Sequence, residues 1–314
     1  MANSIGSPLL NVLRGALIGT SEVVPGVSGG TIALIVGIYE RLITSAGHVL
    51  SGVKLAATDL PQGRGGSRAS AEFRRAEWGL VLAVLVGMLA AALLGATFLA
   101  PLVEEHQQRS YALFFGLVLA SLWVPYSGSG RAWSAGHYLL ALAVAAGAFV
   151  LTGLPPSEVT PNPVIVFGAA AVAICALVLP GMSGSFLLLT FGLYTATMDA
   201  VSARDFGYLG VFAVGAVFGL AFFVKLLQWL LEHQHRVTLV VMTGILAGSL
   251  RALWPWQDED RALHAPAGDV AVTVALMVVG FVTVAAVLLI ARRAGGDDGA
   301  AADDSGAPEG AGRV

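Results

Sequence analysis

The sequence predicts an all-α polytopic membrane protein built from two inverted repeats, each a re-entrant helical hairpin plus three transmembrane helices. Three observations carry that reading. Uncharged apolar blocks are long enough to cross a bilayer, with no charge in Trp78–Val103 or Val270–Ala291. Two near-copies of one Pro-Gly-x-Ser-Gly string, at Pro25–Gly29 and Pro180–Gly184, interrupt apolar segments. Basic residues also gather on one side of the topology that these segments define. The composition agrees: 56% of residues are hydrophobic and only 12% charged, against about 25% charged in soluble domains.

The elements follow in chain order. Residues 1–8 form a short lead without the basic region and cleavage site of a signal peptide. Leu9–Thr20 and Thr31–Ile43 are each only 12 or 13 residues long, roughly 18–20 Å as helices. A bilayer core is about 30 Å thick, so the pair reads as a re-entrant hairpin over 9–43. A basic cytoplasmic loop, 44–77, leads to spans at about 78–103, 111–125 and 137–154, which complete repeat 1 (9–154). An outside linker, 155–163, precedes repeat 2 (164–293). Its hairpin, 164–201, pairs Pro163–Leu179 with Phe186–Val201, and its spans are about 206–231, 237–254 and 270–291. The tail 294–314, rich in Gly, Ala and Asp, is expected to be disordered.

The halves match beyond the two strings. Gly37 and Tyr39 correspond to Gly192 and Tyr194, and Gly87, Gly116 and Ser121 correspond to Gly215, Gly244 and Ser249. One hairpin plus three spans is an odd number of crossings, which inverts the second repeat relative to the first. Placing both termini in the cytoplasm puts Arg41, Lys54, Arg64, Arg68, Arg74, Arg75, Arg131, Arg236, Arg292 and Arg293 inside, and leaves Arg109, Arg204 and Arg261 outside. That is the expected positive-inside bias for a cytoplasmic-membrane protein.

The two strings are the candidate site. At membrane depth, broken helices are tolerated where they are buried in protein or line a cavity. Backbone N–H groups from Gly26 to Thr31 begin a new half-helix, where unpaired donors and the helix dipole favour an anion. Ser28 and Thr31 add hydroxyls, Gly29 and Gly30 permit close approach, and Ser183, Gly184 and Ser185 repeat the arrangement after Pro180-Gly181. Two such tips meeting near the midplane would enclose a phosphate. The alternative is that Pro-Gly kinks two helices for packing.

Three ionisable residues lie in or beside apolar segments, where such residues usually face a cavity or a partner. Glu22 either carries a charge or proton for the site or forms a structural salt bridge with Arg14. Arg14 and Arg251 either supply charge to an anionic headgroup or snorkel to an interface. Gly15/Gly19, Gly215/Gly219 and Gly244/Gly248 have the spacing of close helix packing. Trp78, Trp123, Trp254 and Trp256 lie at span ends and read as interfacial residues. A single cysteine, Cys175, excludes an internal disulfide, and no nucleotide, dinucleotide or zinc motif is present. No cofactor, metal or nucleic-acid partner is expected.

The strings SEVVPGVSGGTIALIVGIYERLI and LVLPGMSGSFLLLTFGLYTATMDAV, with GSLRALWP, resemble the PopT-type polyprenyl-phosphate translocase family, formerly a domain of unknown function. The resemblance runs from Leu9 to Arg293. It implies that undecaprenyl phosphate returns from the outer to the cytoplasmic leaflet. Glu22, Pro25, Gly26, Ser28, Gly29, Gly30, Thr31, Pro180, Gly181, Ser183, Gly184 and Ser185 would form its core, with Arg14 and Arg251 as further headgroup candidates. The expected partners are the carrier lipid, membrane lipids and a proton or sodium ion for coupling, with a homo-oligomer permitted. Two rival readings are a transporter or channel for a small anion and a polyprenyl-diphosphate phosphatase. The phosphatase would want a basic residue beside Ser183, which is instead followed by Gly184 and Ser185.

Overall fold

A computed structural model describes residues 8–22, 28–59, 61–63, 65–130, 132–155, 159–258 and 260–303, most of them helical. The first half comprises α1 (Pro8–Glu22), α2 (Gly29–Ile35), α3 (Tyr39–Asp59), α4 (Ser67–Arg75), α5 (Trp78–Glu105), α6 (Gln107–Ser121), α7 (Trp123–Gly128) and α8 (Ala135–Thr152). The second comprises α9 (Pro163–Val178), α10 (Gly184–Thr190), α11 (Tyr194–Ala203), α12 (Phe206–His233), α13 (His235–Ser249), a 3-10 turn at Leu250–Leu253 and α14 (Val270–Asp303). Among the described residues, the β pairing is a single bridge, Gln257 with Leu263. Six helical stretches are long and apolar enough to cross a membrane, or up to eight if each bent pair, α2–α3 and α10–α11, is one span.

The limb expected as one half-helix over Thr31–Ile43 is broken. α2 meets α3 at 119°, and α10 meets α11 at 105°. The cause is the same at both corners. Gly37 (φ 73°) and Gly192 (φ 70°) take left-handed backbone. The N–H of Ile38 then bonds back to Ala33 O and that of Gly37 to Leu34 O; Leu193 and Gly192 repeat this with Leu188 O and Leu189 O. These are glycine-terminated Schellman ends.

The stretch expected as a loop over 44–77 is also largely helical, because Tyr39, Ile43, Ser45, Gly47 and Gly52 put a buried stripe along α3. Its charges pair locally: Glu72 accepts from His48 and Arg75, while Arg41 grips Glu77. The hydrogen bond from Arg41 holds the Glu77 carboxyl below its ordinary range. At the other end, α14 runs on through Asp303 into the tail expected to be disordered. A nucleated helix extends at one hydrogen bond per residue fixed, and here it continues through Gly295, Gly296 and Gly299, which disfavour it.

Packing follows small residues. A Cβ on Gly15 or Gly19 would strike the backbone of Val84 or Met88 on α5, and one on Gly215 or Gly219 that of Phe167 or Ala171 on α9. α13 meets α8 in the same way, with Gly244 and Gly248 against Ala141 and Ala145; Gly116 of α6 lies on Met277 of α14. The main seams are therefore α1–α5 and α9–α12 within the halves, and α6–α14 and α8–α13 between them. α13 is central: 61% of its span is buried, against 11–22% for α5, α8, α12 and α14. Those four turn residues such as Leu89, Leu93, Leu142, Phe222 and Val282 outward, as lipid-facing helices require.

Gly248→Leu should destabilise the protein by about 1–3 kcal/mol or more, because it overpacks the α8–α13 seam. Gly147→Ala, with nothing within 4 Å of the new methyl, should be neutral or slightly stabilising. Gly37→Ala also meets open space and should cost roughly 1–2 kcal/mol from left-handed backbone alone. Thermal unfolding of the detergent-purified variants checks all three.

Candidate functional site

The second tip can be followed from residue to residue. α9 ends at Val178, and Leu179 turns extended (φ -73°, ψ 131°), as a residue before proline prefers. Gly181 then adopts φ 89° while packed on α13; a Cβ there would lie 2.9 Å from Ser249 Oγ and 3.0 Å from Leu246 Cα. Only glycine meets both demands. Ser183 (φ -108°, ψ 133°) starts α10, and Ser28 (φ -107°, ψ 130°) starts α2 in the same conformation. Pro25 and Gly26 of the first tip lie outside the described residues.

The two strings touch. Ser28 Oγ donates to Leu179 O at 2.9 Å, the Gly181 N–H donates to Thr31 Oγ1 at 2.8 Å, and Tyr39 Oη donates to Val178 O at 3.0 Å. Gly30 makes this approach possible, since a Cβ would sit 2.8 Å from Val178 O. Ser28 and Thr31 are buried completely or nearly so. The Ser28 proton is therefore committed to a carbonyl, whereas Thr31 Oγ1 accepts from Gly181 and keeps its own proton to donate.

Backbone donors at that tip are also in use. Glu22 Oε1 accepts the Gly29 N–H at 2.8 Å, and the Thr31 N–H returns to Ser28 O at 2.9 Å. The chain thus places its own carboxylate where a helix start attracts an anion. At the second tip Leu177 stands in the matching position, and Ser183 Oγ shares a 2.9 Å hydrogen bond with Ser185 Oγ. Pro180, Gly181, Ser183 and Gly184 are buried, and Ser185 is half-buried.

The charged candidates separate. Arg14 donates to Asn11 on its own helix at 3.0 Å and makes no ion pair with Glu22, whose carboxylate goes to Gly29. Eight residues divide them, about 12 Å of helix. Arg251 lies 4.5 Å from the Phe149 ring centre and donates to Phe149 O and Arg261 O, each at 3.5 Å.

Sequence alone places Arg261 only as a loop residue, and Trp254 and Trp256 explain its actual position. Both are expected as interfacial residues, but their indole N–H groups instead hold His264 O at 3.1 Å and Ala267 O at 2.9 Å, and Trp256 is buried. The loop after α13 therefore folds back on the bundle. A Trp-Pro-Trp sequence leading into a polar loop was the available signal. The lipid-facing surface also carries an apolar groove of about 600 Å³ between α9 and α12, lined by Phe167, Gly210 and Val214 among others.

Comparisons with known proteins bear on this arrangement. A family model described as undecaprenyl phosphate translocase-like matches residues 18–271. A protein of Vibrio cholerae named polyprenyl-phosphate transporter is 34% identical over 258 residues, covering 82% of this chain and 81% of its own. One of the same name from Staphylococcus aureus is 28% identical over 295 residues, covering 87% and 93%. No solved structure matches the chain.

Thr31→Val should destabilise the tips by about 1–3 kcal/mol, because it leaves the buried Gly181 N–H without an acceptor. Ser28→Ala should cost less, since Leu179 O keeps a contact from the Met182 N–H at 3.4 Å. Thermal unfolding in detergent ranks the two, and equal effects would count against the lock.

Proposed function

The chain belongs to the undecaprenyl phosphate translocase-like family, and from that premise we propose that it carries undecaprenyl phosphate across the cytoplasmic membrane, from the outer to the inner leaflet. The phosphate would pass between the two tips by alternating access, while the isoprenoid chain stays in lipid. The observation that carries this reading is the interior meeting of two small-residue helix breaks with matching backbone. Such breaks supply close backbone approach and polar groups at membrane depth.

In this proposal the two halves are inverted repeats with re-entrant hairpins, and both termini are cytoplasmic. The matching seams α1–α5 and α9–α12 support the repeat, and the basic residues around α3 and α4 support the orientation. Glu22 would act as a gate at the first tip. While charged and bonded to Gly29, it excludes a second anion. A proton on Glu22 would remove its negative charge, weaken its hold on the Gly29 N–H and link phosphate passage to the proton gradient. Ser183 and Ser185 would donate to the phosphate at the second tip. Relatives named as transporters, and a Ser183 hydroxyl bonded to Ser185, favour transport over phosphatase chemistry.

Reconstitution in liposomes with a leaflet-specific assay of undecaprenyl phosphate tests the reading. Protein-dependent movement between leaflets is expected, and its absence sinks the proposal. Ser183→Ala should slow movement about tenfold to a hundredfold, since a charge-assisted hydrogen bond contributes roughly 1.5–3 kcal/mol and each 1.4 kcal/mol is about tenfold. Glu22→Gln keeps an oxygen acceptor for Gly29 but cannot titrate, so movement should lose its response to an imposed proton gradient. A retained response removes Glu22 from the coupling.

A further inference from the structure

The loop between the 3-10 turn and α14 sends one arginine into the protein. Arg261 takes left-handed backbone (φ 62°) and is only 7% exposed. Its Nη1 donates to Leu154 O and to Thr190 Oγ1, each at 2.8 Å, and its guanidinium lies 3.8 Å from the Phe186 ring centre. Phe186 follows Ser185 directly and Thr190 ends α10, so the side chain lies along the short helix that begins at the second tip. Arg251 adjoins it through the 3.5 Å contact to Arg261 O.

Among the described residues, each guanidinium has a buried nitrogen without a hydrogen-bond partner, Arg261 Nη2 and Arg251 Nε. Neither forms an ion pair among the described residues. A buried charge is costly unless paired and hydrogen-bonded, and orphaned polar atoms are uncommon in native proteins. The two guanidiniums flank the Gly153–Leu154 end of α8, and two cations there, each with an unfilled donor, call for an anion. The guanidinium fork suits phosphate oxygens in particular.

We propose that Arg251 and Arg261 form a docking site for a phosphate monoester beside α10, from which the anion is handed to Ser183 and Ser185. This rests on the transport reading above and extends it, placing the first contact with the headgroup on the outer side. The site belongs to one half alone. At the positions aligned with Arg251 and Arg261, the first half has Trp123 and Trp133. The shared chemistry is a phosphate with at least two free oxygens, on a lipid or free in solution.

Calorimetric titration of the detergent-purified full chain with farnesyl phosphate, farnesol and inorganic phosphate tests the site. Wild-type protein should bind farnesyl phosphate and not farnesol, and Arg251→Gln and Arg261→Gln should each weaken binding at least tenfold. Binding of inorganic phosphate with the same dependence on both arginines would support the site and identify its source as the free anion. Should Arg261→Gln fail to fold, Arg251→Gln decides, because its side chain is only partly buried. Undiminished binding in the folded variants overturns the proposal, as does no phosphate binding by the wild type. If wild-type protein moves undecaprenyl phosphate in liposomes while both variants bind normally, the arginine site falls and the transport reading stands. Arginine-dependent binding without movement supports the site and removes the transport reading.

Discussion

The rest of the interior is arranged around the contact between α2 and the turn at Val178–Gly181. Three hydrogen bonds cross it, and two of them end on backbone carbonyls that proline and a helix terminus leave without helical partners. In hydrocarbon, an unpaired carbonyl or N–H costs several kcal/mol, since no water can serve it. Side chains of the first break and of Tyr39 on α3 therefore supply what the backbone of the second lacks. The second string's turn depends on that contact, and the glycine at 30 is what lets the backbones come close enough.

The tips are alike in backbone and opposite in chemistry. The first carries a carboxylate bonded to its leading N–H. The second has two serines at its start and Arg261 beside its helix, with Arg251 adjoining the Arg261 backbone. An anion moving between them would meet attraction on one side and a titratable obstacle on the other. Sequence alone points to charge effects in the first half, through Glu22. The guanidiniums at 251 and 261 give the second half a charge of its own.

Much of the fold was legible because lipid imposes simple rules. Uncharged blocks marked the spans, Gly-x-x-x-Gly pairs marked the seams, and the doubled string marked the helix breaks. The corners at Gly37 and Gly192 were harder to see. A glycine in an apolar helix also reads as a packing residue, and only its φ distinguishes the two roles. The helix over 44–59 was hidden by its polar residues, which suggest a loop until the buried stripe through Ser45, Gly47 and Gly52 is seen in three dimensions. Hydroxyl partners were beyond sequence reasoning altogether. That Ser28 serves Leu179 and Thr31 serves Gly181 depends on a contact across about 150 residues.

The exchanged seams constrain any motion. α6 of the first half lies along α14 of the second, and α8 of the first along α13 of the second. The halves are clasped like interlaced fingers, so a rocking of one whole half against the other would prise open both glycine-lined grips. Outside that clasp, the α1–α5 and α9–α12 pairs and the tips meet across the halves through the smaller α3–α12 and α2–α9 contacts. Movement is cheapest if the clasp stays still as a frame and these smaller units slide within it.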